Sequence, residues 1–150
     1  DMARRGKTVR SVWLERGIFA PSPEETIVLG LSAGERVSRV NRLRMADDTP
    51  LAIERASMST RSLPDPDKVE VSLYAALEKQ DCRPVRAIQR ISAVSLDEAD
   101  AKLLDVEAGT ACLRIERISY LPSGRVVEFT RSVYRGDAYD FVAELRLQEH

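Results

Sequence analysis

Apolar residues recur along the chain in two rhythms. Between residues 8 and 19, Val9, Val12, Trp13, Leu14 and Ile18 fall in a β-branched and aromatic run that predicts a first strand. Ser22-Pro23-Glu24-Glu25 then combines a capping serine, a proline at the first helical position and a glutamate at the third, so a short helix should start there and stop between Gly30 and Gly34. Residues 36–46 and 51–60 read as strands joined in a hairpin through Asp47-Asp48-Thr49-Pro50, and Leu63-Pro64-Asp65-Pro66-Asp67 as a loop. Leu73, Ala76 and Leu77 at helical spacing predict a helix over 72–80, capped by Ser72 and stopped by Arg83-Pro84. Residues 85–94 are strand-like. Ser95-Leu96-Asp97-Glu98 repeats the capping-box pattern and predicts a third helix toward Leu104, broken near Gly109. Residues 112–120 and 126–134 form a second hairpin about Leu121-Pro122-Ser123-Gly124, 141–147 supply a last strand, and a leading helix ends at Gly6. The sum is an α+β fold: an antiparallel sheet of about six strands with flanking helices.

The order of these elements repeats. The block that opens at Ser22, with capping box, helix, glycine and hairpin, recurs from Ser95; Gly34 and Gly109 lie 75 residues apart, and Glu54 and Glu128, each on the second strand of its hairpin, 74. Two diverged halves would place a pocket between them, where ligands favour the junction of packed units.

Composition narrows the chemistry. With 150 residues, 43% hydrophobic and 31% charged, the chain fits one domain able to bury ~70% of its unfolded surface without disulfide or metal staples. No run approaches the ~18 apolar residues of a membrane helix. The net charge of −1, with one tight basic cluster at Arg4, Arg5 and Lys7, lacks the footprint that drives nucleic-acid affinity. Cys82 and Cys112 are 30 residues apart with no second ligand nearby, which writes neither a redox pair nor a zinc site and fits a reducing, cytoplasmic setting. The sole histidine is His150, so nucleophile activation by an internal imidazole and histidine-containing metal sites fall away. The chain begins at Asp1 without a signal segment and reads as a piece of a longer protein.

Arg42 and Arg44 leave one face of a strand with Cα atoms about 7 Å apart. Two such guanidiniums repel unless an anion lies between them, and their forks suit phosphate; the alternative is pairing with Asp47 or Glu116 on a solvated sheet face. Ser72 and Tyr74 open a helix whose first amides are unsatisfied, which adds directed donors to that charge. Glu54 on one hairpin, with Glu128 and Tyr134 on the other, could bind the hydroxyls or amine of a sugar, or pair with neighbouring arginines. Glu128 shares a strand face with Thr130, Ser132 and Tyr134, while Val127, Phe129 and Val133 share the other with Arg131. Two carboxylates also invite a glycosidase reading, which needs a raised pKa and a defined separation. Arg135-Gly136-Asp137 reads as a turn with Gly136 at its tight position rather than as an adhesion tripeptide.

Arg42-Leu43-Arg44, Pro50-Leu51-Ala52-Ile53-Glu54, Ser72-Leu73-Tyr74 and the run from Val127 through Asp137 together resemble the UTRA domain, the effector-binding half of HutC-subfamily GntR transcription regulators. The likeness is nearest to regulators of N-acetylglucosamine use and covers nearly the whole chain. It implies a chorismate-lyase-like fold without lyase activity or cofactor, in a homodimer, with operator DNA reached through a winged helix-turn-helix domain outside residues 1–150. It further implies that Arg42, Arg44, Ser72 and Tyr74 hold the phosphate of a hexosamine 6-phosphate, with Glu54, Glu128 and Tyr134 on the sugar. A chorismate-lyase-like enzyme, or a sensor of another small anion, are the alternatives.

Overall fold

The computed structural model describes residues 8–70 and 72–148. The helix expected before Gly6 lies outside these residues. Six strands form one antiparallel sheet: β1 (Val9–Phe19), β2 (Val37–Ala46), β3 (Thr49–Ser59), β4 (Arg86–Ser95), β5 (Ala111–Tyr120) and β6 (Val126–Arg135), in the order β1-β2-β3-β6-β5-β4. The helices are α1 (Pro23–Leu29), α2 (Leu73–Lys79) and α3 (Glu98–Leu103), with a 3-10 turn at Pro66–Lys68.

Local chemistry explains most boundaries. Ser22 accepts from the amide of Glu25 while Glu25 reaches back to the amide of Ser22, closing the expected capping box, and Gly30 ends α1 with φ 64°. The second box is displaced. Ser95 is the last residue of β4, opposite Ala111, and Asp97 caps α3 by accepting from the amide of Asp100 at 2.8 Å. A strand residue cannot turn its hydroxyl onto a helix that starts three positions later, whereas aspartate at the junction can. Moving the cap to Asp97 places it 75 residues after Ser22, the spacing of the two glycines.

The halves then correspond at several positions. Gly34 and Gly109 have φ of 83° and 87°, and Gly30 and Asp105, also 75 apart, both sit in the left-handed region, at 64° and 56°. In the central pairing Ala56 faces Thr130, its counterpart at a spacing of 74, so an approximate two-fold passes between β3 and β6. Each capped helix crosses this seam: α1 packs on β6 and α3 on β3.

The seam gives the sheet two covered faces. Under α1 and α3 lie two clusters, Leu29, Leu31, Val37 and Phe129, and Ile53, Leu96, Ala101, Leu104 and Cys112. On the other face Leu73 and Leu77 of α2 pack on Val40, Ala56 and Met58. Val127 belongs to this α2-face cluster rather than with Phe129 and Val133, because a bulge opposite Ser119 and Tyr120 leaves it without a strand partner and turns it over. The strand expected over 141–147 is absent: these residues carry no regular secondary structure and join no ladder. Gly136 does sit in a turn but has no left-handed φ. Its hydrogen faces the Ala111 carbonyl, where a Cβ would stand 3.0 Å away, so close approach to β5 selects glycine there.

Candidate functional site

On the α2 face a cavity of about 410 Å³ opens over the β3–β6 seam. Arg42, Arg44, Glu54, Ser72, Tyr74, Glu128 and Tyr134 all line it. Three sheet strands, β2, β3 and β6, and the start of α2 thus bring together every residue that sequence reasoning singled out for binding. Thr130 and Ser132 complete its floor, and Arg117 enters from β5.

The polar groups fall into two clusters, one in each half. In the first, Glu54 stands directly opposite Arg42 on β2 and accepts from Arg42 Nη2 at 3.1 Å and from Arg44 Nη1 at 3.4 Å. The anion between the two arginines is therefore Glu54, not Asp47 or Glu116. Two guanidiniums against one carboxylate leave a surplus positive charge, and the buried Nε of Arg44 has no acceptor. In the second cluster, Glu128 is only 3% exposed and accepts from Tyr74 Oη at 3.0 Å, from Ser119 Oγ at 2.7 Å and from the Thr130 hydroxyl. Three of the roughly four acceptor sites of this buried carboxylate are met by neutral hydroxyl donors.

Electrostatics follow burial. Tyr134, set between the main cavity and a second of about 320 Å³ lined by Val9, Leu51, Ala138 and Tyr139, has its phenol pushed up to about 12 by burial, with the Glu54 charge adding to the effect. Burial and then the Glu128 charge raise the Tyr74 phenol as well. For Arg117 burial opposes the charged form, but the adjacent Tyr74 and the Glu128 carboxylate outweigh it and its pKa rises. Ser72 is exposed and its hydroxyl accepts from the amide of Ala75 at 3.2 Å, so it serves α2 as a cap. Among the described residues no cluster of three or more acidic, histidine or cysteine side chains forms.

Arg117 was missed by sequence reasoning, and the repeat could have found it. It lies 75 residues after Arg42, so it is the counterpart of Arg42 across the seam, as Ser119 is of Arg44. The first half keeps two arginines on its inner strand. The second keeps one arginine and a serine, and its glutamate is correspondingly held by hydroxyls.

Residues 4–140 match the UTRA domain. The chain belongs to the UTRA domain family. The HTH-type transcriptional repressor NagR of Bacillus subtilis is 30% identical over 145 residues, 95% of this chain and 60% of the repressor. Among solved structures, a GntR-family transcriptional regulator from Enterococcus faecalis shares 30% identity at a TM-score of 0.83, over 91% of this chain and all of that one. The ligand-binding domain of a putative GntR-family regulator from Bordetella bronchiseptica shares 27% at 0.82, over 93% and 90%. The chain spans about 60% of the length of the curated repressor it matches. This UTRA chain is a regulatory ligand-binding domain of the kind carried by GntR-family transcription regulators, and not an enzyme, which sets aside the lyase and glycosidase alternatives. Among the described residues no helix of this UTRA domain is long and apolar enough to cross a membrane.

Proposed function

We propose that the cavity over the seam binds a phosphorylated amino sugar, glucosamine 6-phosphate or N-acetylglucosamine 6-phosphate. In this reading residues 1–150 are the effector domain of a homodimeric regulator whose DNA-binding domain lies in another part of the protein. The observation that carries the proposal is the pairing of Arg42 and Arg44 around a single carboxylate, with a surplus charge and an unpartnered buried donor on the cavity wall. A phosphate monoester supplies the missing acceptors, and bidentate guanidinium contacts are strong where water is excluded. Ser72 borders the phosphate end from α2. Tyr74, hydrogen-bonded to Glu128, links that end to the sugar end, where Glu128, Glu54 and Tyr134 take hydroxyls or the amine. The volume suits one small ligand. Ligand binding then shifts the regulator between two states through its differential affinity for them.

The test uses the single tryptophan. Trp13 has the Arg42 guanidinium 5.9 Å from its ring centre, so its fluorescence should respond when an anion engages Arg42. Titration with glucosamine 6-phosphate should give a saturable change and raise the melting temperature, by ~2.7 kcal/mol of stabilisation at a hundredfold excess over Kd. Glucosamine itself should do far less. Equal responses to both would remove Arg42 and Arg44 from a phosphate role.

A further inference from the structure

The two halves leave their inward arginines in different states. Arg42 stands opposite Glu54 in the β2–β3 ladder and donates to it at 3.1 Å. Its counterpart Arg117 stands opposite Thr130, while Glu128 lies two residues further along β6, opposite Ser119. Register thus puts a hydroxyl where the first half has a carboxylate. From its own position Glu128 accepts from the hydroxyls of Tyr74, Ser119 and Thr130 rather than from the guanidinium. Among the described residues Arg117 makes no ion pair: its Nε and Nη2 both donate to Oε1 of Gln89 on β4, at 3.2 and 3.1 Å, and Gln89 is neutral.

Arg117 nevertheless lines the cavity. Three strand spacings and a two-residue offset put its Cα about 16 Å from that of Arg42, so the cavity has cations at both ends. The two ends suit different groups. At β2 a pair of guanidiniums has donors enough to keep Glu54 and take a phosphate as well, so that carboxylate stays compensated when a ligand is bound. At β5 a single planar fork offers N–H donors, no acceptor, and a charge with no carboxylate bonded to it. An oxygen acceptor is stabilised beside it, whereas an ammonium would meet a cation of its own sign.

The hexosamine phosphates differ at this point. One carries a free amine, protonated in neutral solution, and the other an acetamide whose carbonyl oxygen accepts. We infer that Arg117 selects the acylated form: its guanidinium donates to the acetamide oxygen of an N-acetylhexosamine phosphate and disfavours the free amine. This rests on the phosphorylated amino sugar proposed above and narrows it to one of its two forms.

Isothermal titration of the intact chain with N-acetylglucosamine 6-phosphate and with glucosamine 6-phosphate tests it. The acetylated ligand should bind at least about tenfold more tightly, the difference between gaining a hydrogen bond to a charged donor and gaining none. In Arg117→Met, and in Arg117→Gln as a second neutral replacement, affinity for the acetylated ligand should fall about tenfold. Affinity for the amine should stay the same or improve, so the ratio of the two approaches one. A merely structural Arg117 would weaken both ligands alike. Circular dichroism melts close to that of the parent should accompany either change, because the side chain holds no ion pair. Equal binding of the two ligands by the parent, tighter binding of the amine, or a preference that survives both replacements would overturn the role of Arg117 and leave the amino sugar phosphate standing. If neither ligand binds the parent, the effector proposed above falls and this selection with it.

Discussion

Glu25 and Glu54 lie on opposite faces of one sheet and meet similar partners to different effect. Glu25, from α1, is 1% exposed and accepts from Arg39 Nη2 at 2.6 Å, Arg39 Nε at 2.9 Å, the Ser22 amide at 2.8 Å and the Ser57 hydroxyl. Burial penalises this charge, but the arginine, the cap amide and the serine outweigh it, and the carboxyl is held down at about 2. Glu54 accepts from two arginines that both line the cavity, and the buried Nε of Arg44 has no acceptor. The chemistry of a carboxylate among arginines is shared. Each site leaves one buried arginine Nε without an acceptor, Arg131 beside Glu25 and Arg44 beside Glu54; what marks the second as a binding group is that Arg42, Arg44 and Glu54 line the cavity.

The comparison breaks first at Glu25. Glu25→Ala should destabilise the fold by about 3 to 5 kcal/mol, because it strands the Arg39 charge and a serine in the interior, and differential scanning calorimetry should show a drop in Tm of ~10 °C. The ligand response, read by Trp13 fluorescence at a temperature where the variant is folded, should be unchanged. The same residue sets a pH dependence. Its folded pKa lies below the ordinary 4.5, so its stabilisation is present above pH 4.5 and is lost as pH falls toward about 2, a span of ~3 kcal/mol. Urea unfolding midpoints measured across that window should fall more steeply for the parent than for Glu25→Gln.

Arg44→Ala should act on the opposite quantity. Effector affinity should fall by roughly 2 to 4 kcal/mol in isothermal titration, since a charge-assisted contact to phosphate is lost. Stability without ligand should change by at most about 1 kcal/mol, because the Arg44 side chain is 35% exposed and Arg42 keeps Glu54 paired. A large loss of stability with an unchanged ligand response would make Arg44 a second Arg39.

The smallest effect concerns the two caps. Asp97→Ala should cost about 1 kcal/mol in chemical denaturation, whereas Ser95→Ala should cost next to nothing, reversing the order that the Ser95-Leu96-Asp97-Glu98 pattern suggests.

Much of this was legible in advance, for physical reasons that differ by element. The strands from β1 to β6 and the first capping box rest on local chemistry, which needs no tertiary context. Of the seven cavity residues, strand alternation accounts for five, Arg42, Arg44, Glu54, Glu128 and Tyr134, which leave their strands on one face; Ser72 and Tyr74 were singled out as the opening of a helix, and the family resemblance joined the two groups. Three readings depended on what lies opposite in space. The partner of the arginine pair required the β2–β3 register, which sets Glu54 against Arg42. Val127 required the bulge. Residues 141–147 have the right alternation, but a strand also needs an edge, and alternation carries no information on whether the chain supplies one.

The two-fold seam also governs how the molecule comes to exist. Each half can close its own hairpins from residues close in sequence, but β3 meets β6 only after about 75 intervening residues have been made, and α1 cannot settle until β6 arrives. Loop closure over such a distance is slow relative to hairpin formation, so joining the halves should be the late step of folding. The cavity has walls from both sides of that join. It comes into being only when the last strand is in place, so a ligand there holds together two units that were synthesised at different times.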